Sequence, residues 1–216
     1  MTDPAAEARK RMVDTQLRAR GIADPRVLAA MGKVPRHLFT QERDLREAYD
    51  DHAMSIGDGQ TISQPYMVAT MTESLALKGH ERVLEVGTGS GYQAAVLAEL
   101  CAEVYSMERH ASLAERARQR LENLGYQNVH VCVGDGTLGL PEHAPYQGII
   151  VTAGAPKIAE AWAQQLDEGY RLVVPVGDRW SQQLICATKK GGKLHERHVC
   201  GCVFVPLVGK DGWPGD

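Results

Sequence analysis

The chain has 216 residues, 44% of them apolar, with 24 basic and 27 acidic side chains and a formal net charge of −3. Such a length predicts one domain with a sizeable core, and so mild a charge leaves no basic footprint for nucleic acid and no polybasic patch for a membrane surface. No apolar run approaches the roughly 18 residues needed to span a bilayer, the opening MTDPAAEARKRM lacks the apolar stretch of a signal peptide, and five cysteines, odd in number and without a CxxC pair, read as the reduced thiols of a cytoplasmic protein.

Residues 4–40 are charged and helical in pattern, interrupted by Gly21, Pro25 and Pro35. Asp24-Pro25 predicts an N-cap followed by proline at the first helical position, opening a short helix with Val27, Leu28 and Met31 on one face. Residues 57–66, GDGQTISQPY, are too polar for a core strand and are expected as a loop. Pro65 then opens a helix with Met67, Val68, Met71 and Leu75 along one side.

From residue 82 strands alternate with helices. Strands are predicted at 82–86, 103–108, 128–133, 148–153 and 171–176, and helices at 92–100, 110–124 and 157–166. The strands are nearly continuous apolar runs, so both sheet faces are covered and the sheet is mostly parallel. The end differs: QQLICATKK and KLHERHVCGCVFV are joined by Gly191-Gly192, which predicts an antiparallel hairpin with a primed turn. His195, His198, Cys200 and Cys202 lie on that last strand at spacings that fit no common zinc module, so no metal site is expected. The expected architecture is an α/β, doubly wound, Rossmann-like sheet with a C-terminal antiparallel hairpin and an N-terminal helical extension. All of residues 1–216 form one domain, with a helical segment and loop over 1–80 and an α/β core over 81–216.

The first strand of the core runs into VLEVGTGSGY, with glycines at 87, 89 and 91. In an open α/β sheet ligands sit at this carboxyl end of the strands. Glycine lets a ligand reach the backbone, and the free N–H groups of the following helix favour an anion. A dinucleotide fingerprint needs glycine at 92, where Tyr92 stands, so a nicotinamide-dependent oxidoreductase is excluded. The spacing with Glu85, E-x-G-x-G-x-G, is similar to the S-adenosylmethionine motif of class I methyltransferases. Glu108, ending the second strand, has two acceptor oxygens for a ribose diol. Asp135, after the third, is a candidate acceptor for an adenine amino group.

The resemblance then narrows. AYDDHAMSIGDGQTISQPYMVATMTESL (48–75) and VLEVGTGSGYQAAVLAEL (83–100), with VPRHLF (34–39), VGDG (133–136), PVG (175–177) and FVPL (204–207), resemble the protein-L-isoaspartate O-methyltransferase family, in the family's order along nearly the whole chain. The chain departs from the family pattern at His52-Ala53, Ser55 and Tyr170. The resemblance implies methyl transfer from S-adenosylmethionine to the α-carboxyl group of L-isoaspartyl residues in damaged proteins. The products are S-adenosylhomocysteine and an ester that closes to a succinimide on the way to repair. It implies Ser63 as the catalytic residue and Gln60, Thr61, Ile62, Gln64, Val205, Pro206 and Leu207 as substrate-binding. For the cofactor it implies Glu85, Val86, Gly87, Thr88, Gly89, Gly91, Tyr92, Glu108, Arg109, Asp135 and Gly136, with no metal, in a monomer. The rival readings are a methyltransferase of another small-molecule acceptor and a cofactor-binding protein without catalysis.

The implied chemistry suits the residues. A carboxylate with a pKa near 4 is ionised at neutral pH and needs no general base, so the chain has to orient the reactants and exclude water. Thr61, Ser63 and Gln64 supply hydroxyl and amide groups for that. The competing role for Ser63 is the N-cap of the helix that Pro65 opens.

Overall fold

The computed structural model describes residues 3–41 and 44–215. Met1 and Thr2 of the opening stretch, residues 42 and 43, and the last residue of the expected domain lie outside the described residues. The N-terminal segment begins with helix α1 (Pro4–Arg11), which continues as a π-helical and then a 3₁₀ turn through Arg20 and stops at Gly21. Helix α2 (Pro25–Lys33) is capped by Asp24, whose carboxylate accepts from Arg26 N–H, and buries Val27, Leu28, Ala30 and Met31. A 3₁₀ turn (Arg36–Phe39) and helix α3 (Leu45–Tyr49) follow.

The expected loop before Gln64 is instead an antiparallel ribbon of β1 (Met54–Gly57) and β2 (Gln60–Ile62). Its polar composition conceals a period of two: Ile56 and Ile62 are buried while Ser55 and Thr61 face out. The tip, Asp58, is fastened to the helix over 111–123, where its carboxylate accepts from Arg116 Nη2 at 2.8 Å and Ser112 Oγ at 3.3 Å. Helix α4 (Pro65–Leu75) comes next.

The core sheet holds β3 (Arg82–Val86), β4 (Glu103–Glu108), β5 (Val129–Val133), β6 (Gly148–Val151), β7 (Arg171–Gly177), β8 (Gln182–Lys190) and β9 (Lys193–Cys202) in the order β5-β4-β3-β6-β7-β8-β9. The first five strands in that order are parallel, and β8 and β9 are antiparallel. Gly191 and Gly192 both take positive φ in the turn between β8 and β9. Helices α5 (Tyr92–Ala98), α6 (Ala111–Asn123) and α7 (Glu160–Gln165) connect the strands. Helix α7 starts three residues later than the expected 157. Gly154 bridges to Pro206 and Ala155 to Val176, and these pairings keep the chain extended before the helix.

Two cores cover the two faces of the sheet, and strand alternation sorts residues between them. Val83, Ile150, Val173 and Leu184 join α2, α4, α5 and α6 on one face. Leu84, Ile149, Val151, Leu172, Val174 and Ile185 join Trp162 of α7 on the other. Among the described residues no helix is long and apolar enough to cross a membrane. The strand order reverses between β3 and β6, which opens a crevice at their carboxyl ends.

Trp162 is fully buried and its indole N–H donates to Gly136 O at 2.9 Å. Trp162→Phe removes this bond and leaves Gly136 O with the N–H of Gly139 alone, at a cost of about 0.5–1.5 kcal/mol. The expected result is a melting temperature lower by roughly 2–4 °C per kcal/mol, measured by calorimetry.

Candidate active site

Two clefts open above the carboxyl ends of β3, β4 and β6, and they meet. The first, about 420 Å³, has a floor of Val86, Gly87 and Gly89 beyond β3 and Met107, Glu108, Arg109 and His110 around the end of β4. Gly136, Thr152 and Ala153 continue the wall, residues 58–61 of the ribbon close one side, and residues 205–208, Arg179, Pro214 and Gly215 close the other. The volume suits a drug-sized or cofactor-sized ligand. The second, about 520 Å³, is lined by Ala53, Thr61, Ser63, Gln64, Met67, Thr152, Ser181 and residues 201–205. Thr61, Thr152 and Val205 belong to both.

The floor of the first cleft depends on backbone that side chains would spoil. Gly87 has φ 101° and Gly89 φ 53°, and a Cβ on Gly87 would collide with Thr152 Oγ1. Glu108 spans the floor: Oε2 accepts from Gly89 N–H and Oε1 from His110 N–H, both at 2.9 Å. Each oxygen keeps a second lone pair for a ligand.

Glu85 lies behind this floor. It is fully buried, lines neither cleft, and its Oε2 accepts from Ser106 Oγ, which in turn contacts Thr88 Oγ1 at 2.6 Å. Its other oxygen, Oε1, has no partner. Burial pushes the Glu85 carboxyl up to about 8; the negative charge of Glu108 adds to this and the Ser106 hydroxyl opposes it. Thr88, Gly91 and Tyr92 are likewise behind the wall: Gly91 caps α5, and Tyr92 is in the core with its ring 5.5 Å from that of Phe39.

Asp135 also stands outside the lining. Its Oδ1 accepts from Thr137 N–H and Oγ1, and its Oδ2 from Lys210 N–H at 2.8 Å. Protein donors therefore engage both oxygens of the carboxylate that the sequence assigns to an adenine amino group, and that carboxylate does not line the first cleft. Although burial alone would raise it, the N–H groups of Lys210 and Thr137 hold the Asp135 carboxyl below its usual range. Its work here is to tie the C-terminal segment down beside Gly136.

Among the described residues, none that lines the second cleft is Asp, Glu, Lys, Arg or His. Its one titratable side chain is Cys202, whose thiol is pushed up to about 12, first by burial and then by Cys200. Ser63 is half-buried and lines this cleft, and it does not cap α4. The N-cap residue is Gln64, without a side-chain bond, and Asp51 Oδ1 accepts from Tyr66 N–H at 2.8 Å instead. Among the described residues no hydrogen bond engages the Ser63 hydroxyl.

The other expected acceptor residues divide. Thr61, Gln64 and Val205 line the second cleft, Gln60, Pro206 and Leu207 line the first, and Ile62 is in the core. Gly59 lines the first cleft with Asp58.

Thr152 is the residue that sequence reasoning missed at the junction. Its hydroxyl donates to Gly87 O at 2.6 Å and approaches Val86 O at 3.1 Å, so it locks the end of β6 to the first glycine of the turn. A hydroxyl at the carboxyl end of an otherwise apolar strand, GIIVT, is the signal that could have found it.

Comparison with known proteins agrees with this geometry. The family model of protein-L-isoaspartate(D-aspartate) O-methyltransferase matches residues 7–212. A protein-L-isoaspartate O-methyltransferase 1 of Syntrophobacter fumaroxidans is 58% identical over 97% of this chain and 98% of its own. The Methanoculleus marisnigri protein-L-isoaspartate O-methyltransferase is 53% identical over 99% and 97%. A solved protein-L-isoaspartate O-methyltransferase superposes with a TM-score of 0.85 at 32% identity, over 94% of this chain and 66% of that one. A Plasmodium falciparum structure, solved with S-adenosyl-L-homocysteine, has the same fold, with a TM-score of 0.80 at 24% identity over 93% and 98%.

The raised Glu85 carboxyl sets a pH dependence. Between the ordinary carboxylate value and about 8, the unfolded chain has lost this proton while the folded chain keeps it. Stability contributed by this group is therefore present below the unfolded value and is lost as pH rises through that window. Melting temperatures of the ligand-free protein from pH 5 to 8 should fall more steeply for wild type than for Glu85→Gln. Parallel curves would place the carboxyl at an ordinary value.

Proposed function

The chain belongs to the protein-L-isoaspartate(D-aspartate) O-methyltransferase family, and from that premise we propose that the first cleft binds S-adenosylmethionine and the second the acceptor carboxylate. Its activity is S-adenosylmethionine-dependent methylation of isoaspartyl residues in proteins. The observation that carries the assignment of the clefts is the missing charge in the second one. A carboxylate taken out of water needs a counter-charge nearby, and this wall has none to give. S-adenosylmethionine, when bound, supplies a methyl group on a sulfonium cation.

The chain's own residues then have orienting tasks. The backbone N–H groups of the glycine turn and the two oxygens of Glu108 fix the cofactor in the first cleft. Glu85, Thr88, Tyr92 and Asp135 act from behind the wall by holding that floor in shape. Ser63, Thr61 and Gln64 offer neutral donors to the carboxylate, and Thr152 keeps the junction rigid. No base is required, because the carboxylate is already ionised. A lysine or arginine here would hold the carboxylate too well before transfer and leave less of the attraction for the transition state.

We read residues 1–80 as the part that carries the acceptor-side ribbon and Ser63, and 81–216 as the cofactor-binding core, within one domain. We also read the protein as a monomer of the cytoplasm, a reading supported by five free thiols.

The test supplies methyl-labelled S-adenosylmethionine with an isoaspartyl peptide and its aspartyl twin; base-labile methyl ester should form on the first alone. Ser63→Ala should lower kcat on the isoaspartyl peptide by about ten- to a thousand-fold, as when one positioned donor is lost. Since Ser63 caps nothing, the same variant should melt within about 2 °C of wild type. Rates of wild type should stay level from pH 6 to 8. Full activity of Ser63→Ala at saturating peptide would remove Ser63 from the reaction.

A second expectation concerns Glu108. Glu108→Ala should weaken S-adenosylmethionine binding roughly ten- to a hundred-fold by titration calorimetry. Unchanged affinity would dismiss the ribose assignment.

A further inference from the structure

Two strongly exposed apolar side chains belong to the segments that line the second cleft. Trp180 is 83% exposed and Val203 is 74% exposed. Val203 lines the cleft, and so does Ser181, the residue after Trp180. Pairing of β8 with β9 runs out to Gln182 opposite Cys202. Trp180 lies just before that end, in the turn between β7 and β8, and Val203 directly follows it on the other strand.

The turn that carries Trp180 is firmly built. Asp178 Oδ1 accepts from the N–H groups of Trp180 and Ser181, each at 2.7 Å. Asp178 N–H donates to Ser181 O at 3.1 Å, and Gln182 Nε2 donates to Asp178 O at 2.6 Å. The neighbouring cation turns elsewhere: the Arg179 guanidinium lies 5.4 Å from the Trp213 ring and donates to Pro214 O. The sequence thus fixes an indole in water at the rim of a cleft that has no charged side chain.

Single apolar side chains scattered on a surface are ordinary. Here two flank the end of one strand pairing, one in the wall of the cleft and the other next in sequence to a lining residue. The acceptor is a residue within a polypeptide, so the chain on either side of it has to cross this rim. We propose that Trp180 and Val203 form a subsite for an apolar side chain flanking the isoaspartyl residue, so that the enzyme prefers substrates with apolar neighbours. The proposal rests on the second cleft being the acceptor site. It adds a determinant of which damaged sites are served first. An indole face covers a large apolar area with little rotamer freedom to lose, which suits recognition of a mobile peptide.

The experiment compares two peptides of equal length, each with one isoaspartyl residue, one flanked by leucines and the other by serines. Wild type should show a KM about tenfold lower for the leucine peptide, the scale of a modest apolar subsite. Trp180→Ala should raise the KM for that peptide to near the serine value, leave kcat and the serine KM unchanged, and keep the melting temperature. Trp180→Phe should recover part of the preference. Peptide binding is followed in parallel by tryptophan fluorescence, where the leucine peptide should change the emission of wild type and much less that of Trp180→Phe. Equal KM values for the two peptides in wild type, or an equal rise for both in Trp180→Ala, would overturn the subsite while leaving the activity standing. Selective binding that depends on Trp180, with no methyl ester on either peptide, would uphold the subsite and refute the acceptor-site reading.

Discussion

One carboxylate, Glu108, joins the two loops on which the first cleft is built. Strands β3 and β4 pair in parallel register with Val86 beside Met107. That register delivers Glu108 to the side of the glycine turn, where its two oxygens take N–H groups from Gly89 and His110. Hydrogen bonds to an ionised acceptor are the strong ones, and these two set the spacing of the loops before any ligand arrives. A second carboxylate, Glu85, sits just behind. Two neighbouring carboxylates cannot both ionise cheaply. Burial resolves the conflict: Glu85 is raised to about 8 and stays protonated at neutral pH, while Glu108 faces the cleft. The acid behind the floor is therefore neutral, and Glu108 is the carboxyl group that faces the first cleft.

The other half of the site is assembled by the N-terminal segment, and Tyr92 is where the two halves lock. By occupying the position a dinucleotide fingerprint reserves for glycine, Tyr92 excludes one function; its ring also packs against Phe39 and lies 5.0 Å from the buried guanidinium of Arg36. Arg36 Nε donates to Ala48 O at 3.0 Å and so braces the turn after α3. The residue that distinguishes this glycine turn chemically is also the one that carries the acceptor-side segment on its back.

What the sequence disclosed and what it withheld follow from the range of the interactions. Strands at 82–86 and 103–108, the α2 cap and the Gly191-Gly192 turn were legible because each is decided by neighbours in sequence: alternation, a capping side chain, a pair of residues with positive φ. Glu108 was legible because a strand end is a local feature and the sheet rule says where such ends go. The β1–β2 ribbon was hidden, since only Ile56 and Ile62 are fully buried in it and polar residues and glycine outnumber the apolar ones. The setting of Asp135 was hidden for a different reason. Its Oδ2 partner, Lys210 N–H, lies 75 residues away and is a backbone group, which no side-chain pattern announces. The uncharged wall of the second cleft is an absence spread over several segments, and an absence leaves no motif.

The freedom of the Ser63 hydroxyl is itself a product of the fold. A serine just ahead of a proline-led helix would ordinarily cap it, and a hydroxyl that donates nothing but accepts a helix N–H would be held at a fixed angle. Here Asp51 takes the helix N–H of Tyr66 instead. Asp51 can do so because Arg20 pairs with it and because Arg36 grips the backbone at Ala48 and His52 on either side. A charged group thus does the structural work from outside the cleft, and a neutral hydroxyl is left uncommitted inside it. Were the roles exchanged, with an aspartate at the helix start and the serine upstream, a fixed negative charge would line the second cleft and repel any anion there. The separation of cap from donor is what lets the helix N-terminus border this cleft without a charged side chain beside it.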